Sequence, residues 1–310
     1  MANLHRETIP NTNTFLTNMA TGYKSMFPVA DFIAPPLSVN LQAGKYTEYT
    51  KSVFRIFDDK VIGSAEPLEI QWNVDESTYA CENYAMGKFV HDDRKNNATQ
   101  PVNLDRDAVR FLMQFHTLAR EYRINAIAGN AAIVTQTAAI AAAWAGAAGT
   151  PITDILAGIS QIATSTGGYR ANRIVVPLEV ALAMINTTEW ITRFVGTEVG
   201  FGNGLWSVIK GLNHLGLDVE ITSIQGLSEY KGTASDPKTE LLWSDNVLLF
   251  YCEPTPSLET RTFMYSPNVY MNQILSTRVP RRRGLYHDIF SSVDELLIDA
   301  QCAYLLTNCI

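Results

Sequence analysis

Basic residues and paired cysteines are scarce in this sequence. Its 310 residues include 24 Lys and Arg against 31 Asp and Glu, a formal net charge of -7. Proteins whose main work is to bind nucleic acid neutralise phosphates with an excess of Lys and Arg, so the composition argues against that class and allows only weak contact. The four cysteines form no C-x-x-C pair, which favours a reduced cytosolic setting over a zinc or disulfide framework. They are Cys81, Cys252, Cys302 and Cys309.

Long apolar runs are also missing. Residues 1–13 have charged and polar side chains where a secretory signal needs an apolar core, so no export is predicted. Ile124–Thr153 carries no charge, but it is mostly Ala, Gly and Thr, which give less transfer free energy than the Leu and Ile of a spanning helix. We therefore expect no membrane insertion, and close packing of these small side chains inside a soluble fold.

Motifs for catalysis, cofactors and metals are incomplete. Gly200–Gly204 lacks the third glycine of G-x-G-x-x-G, because position 205 is Leu. Gly158–Ile162 departs from G-x-S-x-G at its last position. His91–Asp93 groups potential metal ligands, but a solvated turn or an inter-subunit salt bridge is the simpler interpretation. The sequence therefore predicts no catalytic residue, no cofactor, no metal, and a protein that is not an enzyme.

The N-terminal part has the pattern of extended structure. Residues 1–43 contain several prolines, which is typical of an arm, with one short helix near Thr14–Met26. Gly44–Val74 alternates apolar and polar residues on both sides of a polar tip, which predicts a long hairpin. An isolated hairpin of this size is marginal in water, so we expect it to lie across a neighbouring subunit.

Aromatic and arginine side chains on these predicted strands and turns are candidate inter-subunit contacts. Aromatic residues are enriched where subunits bury surface, and exposed arginines donate inter-subunit ion pairs. Base stacking by the aromatic residues and a nucleic-acid contact by the arginines are the less favoured alternatives. The candidates are Tyr46, Tyr49, Phe54, Arg55, Phe57, Trp72, Arg281, Arg282 and Arg283.

The remainder of the chain predicts an α+β fold. A helix is expected over residues 103–125, with acidic residues in its first turn and an apolar stripe that contains Phe111, Phe115 and Tyr122. Strands and helices alternate from residue 151 to residue 254, which indicates a lobe with a central sheet. Beyond it, paired strands over Leu258–Tyr265 and Tyr270–Val279 are expected, and a final amphipathic stretch over residues 295–308.

Several segments, in order, carry a resemblance to a known family. They include VADFIAPPLSVNLQAGKYTEYTKSVFRIFDD, WNVDESTYACENYAMGKFVHDDRKNNATQPVNLDRDAVRFLMQ, PITDILAGISQIATSTGGYRANRIVVPLEVALAM, LLWSDNVLLFYCEP and LSTRVPRRRGLYHDIFSSVDELLIDAQCAYLLTNCI. Together they resemble the tailed-bacteriophage major capsid protein family, whose fold is shared with encapsulin shell proteins. The similarity extends over residues 29–310.

This resemblance implies a division of the chain into four parts. They are an N-terminal arm (1–43), an extended β-hairpin loop (44–76), a peripheral domain (77–150 and 255–297) with a spine helix (103–125), and an axial domain (151–254 and 298–310).

The resemblance also implies a function and partners. The expected function is that of a major capsid protein, a subunit that assembles into pentamers and hexamers of an icosahedral head around double-stranded DNA. Scaffolding, portal or decoration proteins are the expected further partners, contact with packaged DNA is expected to be weak, and the location is the virion after synthesis in the bacterial host cytoplasm. The alternatives are an encapsulin-like nanocompartment shell and, from another class, a small-molecule enzyme built on the 151–254 lobe.

Overall fold

The described part of the chain contains most of the predicted lobes. In a computed structural model, the described residues are 29–48, 60, 69, 75–96, 103–140, 143–146, 148–195, 204–223, 225–227, 239–243, 245–255 and 257–310. The predicted arm up to residue 28, most of the extended loop and most of the glycine-rich loop before Leu205 lie outside these residues.

Strands and helices alternate along the described residues. The strands are β1 (Pro36–Ser38), β2 (Ala43–Glu48), β3 (Asp75–Ala80), β4 (Glu82–His91), β5 (Thr137–Ala139), β6 (Arg173–Pro177), β7 (Asp218–Thr222), β8 (Gln225–Leu227), β9 (Thr239–Leu241), β10 (Val247–Phe250), β11 (Met264–Val279), β12 (Gly284–Val293), β13 (Leu296–Leu297) and β14 (Ala303–Thr307). The helices are α1 (Val29–Ile33), α2 (Asp92–Asn96), α3 (Leu104–Ala128), α4 (Pro151–Thr166), α5 (Leu178–Ile185), α6 (Thr188–Trp190) and α7 (Leu205–His214).

One mixed sheet, which we call the central sheet, has the strand order β5-β14-β10-β6-β7. Its strand β10 alternates between two apolar cores, as successive residues of a strand must. Val247 and Leu249 pack with α4, α5 and α7, whereas Leu248 and Phe250 pack with α1 and the end of α3. A sheet covered on both faces explains why Val247–Phe250 is apolar throughout.

The second sheet, which we call the hairpin sheet, is built on the long pair β11 and β12. Its strand order is β1-β11-β12-β4, and β13 also pairs with β11. Arg283 closes the turn between β11 and β12 with a left-handed φ of 46°. The strands predicted over Leu258–Tyr265 and Tyr270–Val279 are corrected here, because the partner of β11 is β12 and only the end of the first stretch is a strand.

Helix α3 is the predicted spine helix. The side chain of Asn103 accepts a hydrogen bond from the Arg106 backbone N–H at 3.2 Å, so a polar cap starts the helix at its predicted position. The helix continues three residues past the predicted end, to Ala128, where the Gly129 N–H bonds the Asn125 carbonyl at 2.8 Å.

The described residues of the uncharged stretch Ile124–Thr153 belong to the fold. Its first residues end α3, β5 joins the central sheet beside β14, and Trp144 is fully buried. Among the described helices, none has the length and apolarity that a bilayer crossing requires. Because β5 precedes residue 151, one strand of the central sheet lies before the predicted start of the axial domain; the four-part division itself stays a prediction.

Candidate functional site

The spine helix has an unusual distribution of polar and aromatic side chains. Its buried side includes three polar or charged residues, His116, Arg120 and Glu121. Its outer side exposes Phe111 and Tyr122, which are 45% and 64% exposed. The predicted apolar stripe is therefore only partly correct, because its aromatic members Phe111, Phe115 and Tyr122 are exposed. A helix that buries charge and exposes aromatic rings indicates a surface made for contact.

A groove runs along this aromatic side. It has a volume of about 760 Å³ and lies between α3, β4 and Leu242. The rings of Phe111 and Phe115 form part of its wall, with centroids 4.5 Å apart. Its lining is Met86, Gly87, Phe111, Leu112, Phe115, Leu118, Ala119, Tyr122, Arg123 and Leu242. The groove is thus mostly apolar, as interface cores and ligand pockets both are.

Gly87 of β4 lines the groove and is closely packed against β12. A Cβ atom at this position would lie 2.2 Å from the hydroxyl oxygen of Tyr286 and 2.3 Å from a carboxylate oxygen of Asp288 on β12. Such distances are far inside van der Waals contact, so any side chain here would displace the cross-strand neighbours. Glycine therefore leaves room for the side chains of Tyr286 and Asp288 beside β4.

Two cations stand at the rim of the groove. The Lys88 ammonium lies 3.6 Å from the centroid of the Phe111 ring, and the Arg123 guanidinium lies 3.7 Å from the centroid of the Tyr84 ring. Arg123 also pairs with Glu295, at 2.9 Å. These cation–π contacts and the ion pair hold the rim side chains in place on the isolated chain.

Further exposed apolar side chains lie on the helices of the central sheet. They include Leu182 of α5, Ile191 of the π-helical turn Ile191–Val195 that follows α6, and Trp206 of α7, which is 72% exposed. Trp190 and Ser207, the chain neighbours of Ile191 and Trp206, are buried. The indole N–H of Trp190 donates a hydrogen bond to the Ser207 hydroxyl at 3.1 Å. Ile191 and Trp206 are therefore exposed although the residues beside them are packed in the core.

The predicted arginine cluster lies at the tip of the hairpin sheet. Arg281, Arg282 and Arg283 are all exposed, and the Arg282 guanidinium lies 4.3 Å from the centroid of the Phe89 ring. Nearby, Arg278 pairs with Asp92 at 2.9 Å. This pair lies within the chain, whereas an inter-subunit pair or a solvated turn was expected near His91–Asp93.

The other predicted contacts are only partly described. Tyr46 is 8% exposed and packs against Tyr79 and Tyr265 of its own chain, which leaves little of its ring for a neighbour. Tyr49, Phe54, Arg55, Phe57 and Trp72 lie outside the described residues. The interface role of all nine residues stays a prediction.

A serine, a histidine and a carboxylate are joined inside the packed fold, but with the two ring nitrogens exchanged relative to a hydrolase triad, in which serine contacts Nε2 and aspartate contacts Nδ1. The Ser276 hydroxyl lies 2.8 Å from Nδ1 of His287, and the Asp105 carboxylate lies 2.9 Å from Nε2. His287 is buried between the hairpin sheet and the first turn of α3. Because a substrate cannot reach a ring held there, we interpret these contacts as a tie between helix and sheet.

The possible metal ligands and the cysteine thiols of the described residues bear on metal binding and nucleophilic catalysis. No group of three His, Cys, Asp or Glu side chains in the described ranges could hold a metal ion. The four cysteines are free thiols, and burial raises the pKa of Cys81 to about 11 and that of Cys309 to about 12. Thiols of this kind are poor nucleophiles at neutral pH.

Comparison with known proteins gives matches among solved structures only. No family model matches the chain, and no curated protein does. A phage-related protein from Bordetella bronchiseptica RB50 superposes with a TM-score of 0.75 at 18% identity, over 97% of this chain and 99% of that one. The capsid of cyanophage P-SCSP1u gives 0.53 at 10% identity, and the mature capsid of bacteriophage PhiM1 gives 0.52 at 12%. Both cover 92% of this chain and 88% of theirs.

These similarities extend over more than nine-tenths of the chain. The chain therefore has the phage major-capsid-protein fold, with mixed helices and strands as the sequence predicted.

Proposed function

We propose that the protein is a major capsid protein, a structural subunit that assembles into an icosahedral phage head around double-stranded DNA. The observation that carries the proposal is the aromatic groove on the spine helix of a capsid-type fold. Apolar surface of this size is costly on an isolated chain, and a neighbouring copy of the same chain would cover it.

The predicted parts of the chain give each surface a place in such a shell. The arm (1–43) and the extended loop (44–76) would lap neighbouring subunits. The axial domain, with exposed Trp206, would meet its copies around five-fold and six-fold axes, in pentamers and hexamers. Each contact can be weak, because a closed lattice adds many of them and assembly follows mass action.

The charge of the chain fits a container for DNA. With a formal net charge of -7, the inner wall would contact packaged DNA only weakly and non-specifically. The subunit would be made in the bacterial host cytoplasm and end in the virion, with scaffolding, portal or decoration proteins as further partners. In this proposal the chain acts by assembly and is not an enzyme.

Assembly is tested directly by size-exclusion chromatography and negative-stain electron microscopy of the full chain, expressed alone and with its neighbouring phage genes. Shells, tubes or rings of five or six subunits support the proposal. A stable monomer or dimer under both conditions contradicts it, and a nucleotide- or metal-dependent melting shift would then favour an enzyme on the 151–254 lobe.

The content of any particles separates a phage head from an encapsulin-like compartment. Nuclease-protected DNA inside particles made with the neighbouring genes supports the phage head. A co-purifying enzyme cargo without DNA would replace that conclusion with the nanocompartment.

A further inference from the structure

The short helix α1 is the first described element of the chain and packs closely against its core. Val29, Ala30 and Ile33 are buried, and the helix packs against α3 and β7. The backbone N–H of Ala30 donates to Oε1 of Glu121 on the spine helix at 2.8 Å. A buried carboxyl group of the spine helix thus caps the first turn of α1.

Arg120, the neighbour of Glu121, holds the same helix by other atoms. Its guanidinium pairs with Asp31 and donates to the Ala34 carbonyl at 3.1 Å and the Ser266 hydroxyl at 3.2 Å. It therefore joins α1 to β11, and none of these hydrogen bonds is made to the Glu121 carboxyl group.

The surroundings of the Glu121 carboxyl group do little to stabilise its charged form. It is fully buried, and its second oxygen, Oε2, is buried without a hydrogen-bond partner among the described residues. Burial is the main cause that raises the pKa of Glu121 to about 8, and the charges of Asp31 and Glu220 raise it further. The Ala30 N–H and Arg120 act in the opposite direction and lower this pKa.

The charged groups around α1 come from each element packed against it. Asp31 lies on α1 itself, Arg120 on α3 and Glu220 on β7. From β6, Arg173 donates to the Phe32 carbonyl at 2.6 Å, which commits this cation to the far end of the helix. Glu121 therefore has two carboxyl neighbours and one nearby cation, Arg120, whose terminal nitrogens donate to other groups and whose Nε is buried without a partner among the described residues.

We propose that α1 is a pH-sensitive anchor: a neutral Glu121 holds it on the spine helix, and loss of the Glu121 proton weakens its hold. In the released state the carboxyl group meets water, where a charge costs little. A group whose pKa is raised in the closed state stabilises that state fully below its ordinary pKa, near 4.3. This stability is lost as the pH rises to about 8, and the loss levels off above that value.

The test is hydrogen exchange of the full chain, with rates corrected for the intrinsic effect of pH on exchange. Between pH 5.5 and 7.5, protection of the amides of residues 30–34 is expected to fall about a hundredfold, since two pH units correspond to two factors of ten. Protection of β10, in the middle of the central sheet, serves as the internal reference and should not follow this curve.

Three variants separate the anchor from a general effect of pH. Glu121→Gln should give a flat profile at residues 30–34. Should that variant fail to fold, Glu220→Gln should make protection level off at a lower pH, because removing its charge lowers the pKa of Glu121. Asp218→Asn, at an exposed position of the same strand, should leave the profile unchanged. An unchanged profile in wild type, or the same fall in Glu121→Gln, overturns the proposal.

Discussion

Truncation of Tyr122 to alanine probes the aromatic groove where it is most exposed. A tyrosine buries about 200 Å² when fully covered, so a ring that is 64% exposed leaves roughly 130 Å² for a partner. At about 25 cal/mol per Å², covering that area contributes up to about 3 kcal/mol. If each subunit loses one such contact, the free energy of assembly becomes less favourable by about 2 to 3 kcal/mol. This loss raises the concentration threshold for assembly roughly 30- to 150-fold.

Light scattering against protein concentration measures this threshold, and thermal melting of the unassembled chain measures the fold. Because most of the Tyr122 ring lies in solvent, Tyr122→Ala should change monomer stability by no more than about 0.5 kcal/mol. Gln114→Ala, at an exposed polar position of the same helix, is the matched control and should assemble like wild type. An unchanged threshold in Tyr122→Ala would refute the groove as an interface.

Three other changes test separate features of the molecule. His287→Ala removes the buried tie to Asp105, and we expect a loss of about 2 to 4 kcal/mol in a urea titration; a change under about 0.5 kcal/mol would contradict a structural role. Arg281→Glu should impair assembly at low salt, and the difference from wild type should shrink near 1 M salt, where charges are screened beyond about 3 Å; a salt-independent defect would exclude an ion pair. Deletion of Asp58–Glu66, of which only Lys60 is described, should impair assembly while circular dichroism stays that of a folded chain, and a collapsed spectrum would mean that the loop belongs to the core.

The spine helix shows both the reach and the limit of sequence patterns. Its start was predictable, because a capping Asn103 and first-turn carboxylates are local signals. Its buried face was not, because hydrophobic periodicity assigns aromatic residues to the core and charged residues to solvent. Here Glu121 and Arg120 are inside and Phe111 is half outside, and groups of α1 and β11 satisfy several of the buried polar atoms by hydrogen bonds and an ion pair.

The hairpin sheet was harder to predict for a different reason. Strand β12 follows the arginine cluster directly, and its sequence from Gly284 to Val293 mixes polar and apolar residues because one face meets α3. The groove could not be foreseen either, since its two sides, β4 and α3, are adjacent only after β4 pairs with β12. Such pairings over long sequence separations leave no local pattern.

The order of strands in the central sheet has a kinetic consequence. Strand β14 lies between β5 and β10, which are far from it in the chain, so the sheet closes only after distant segments have met. Folding slows as such contacts accumulate, because the entropy of loop closure is lost before any contact is gained. A newly made subunit is therefore expected to spend time with an incomplete sheet, during which its neighbours find no finished surface to bind.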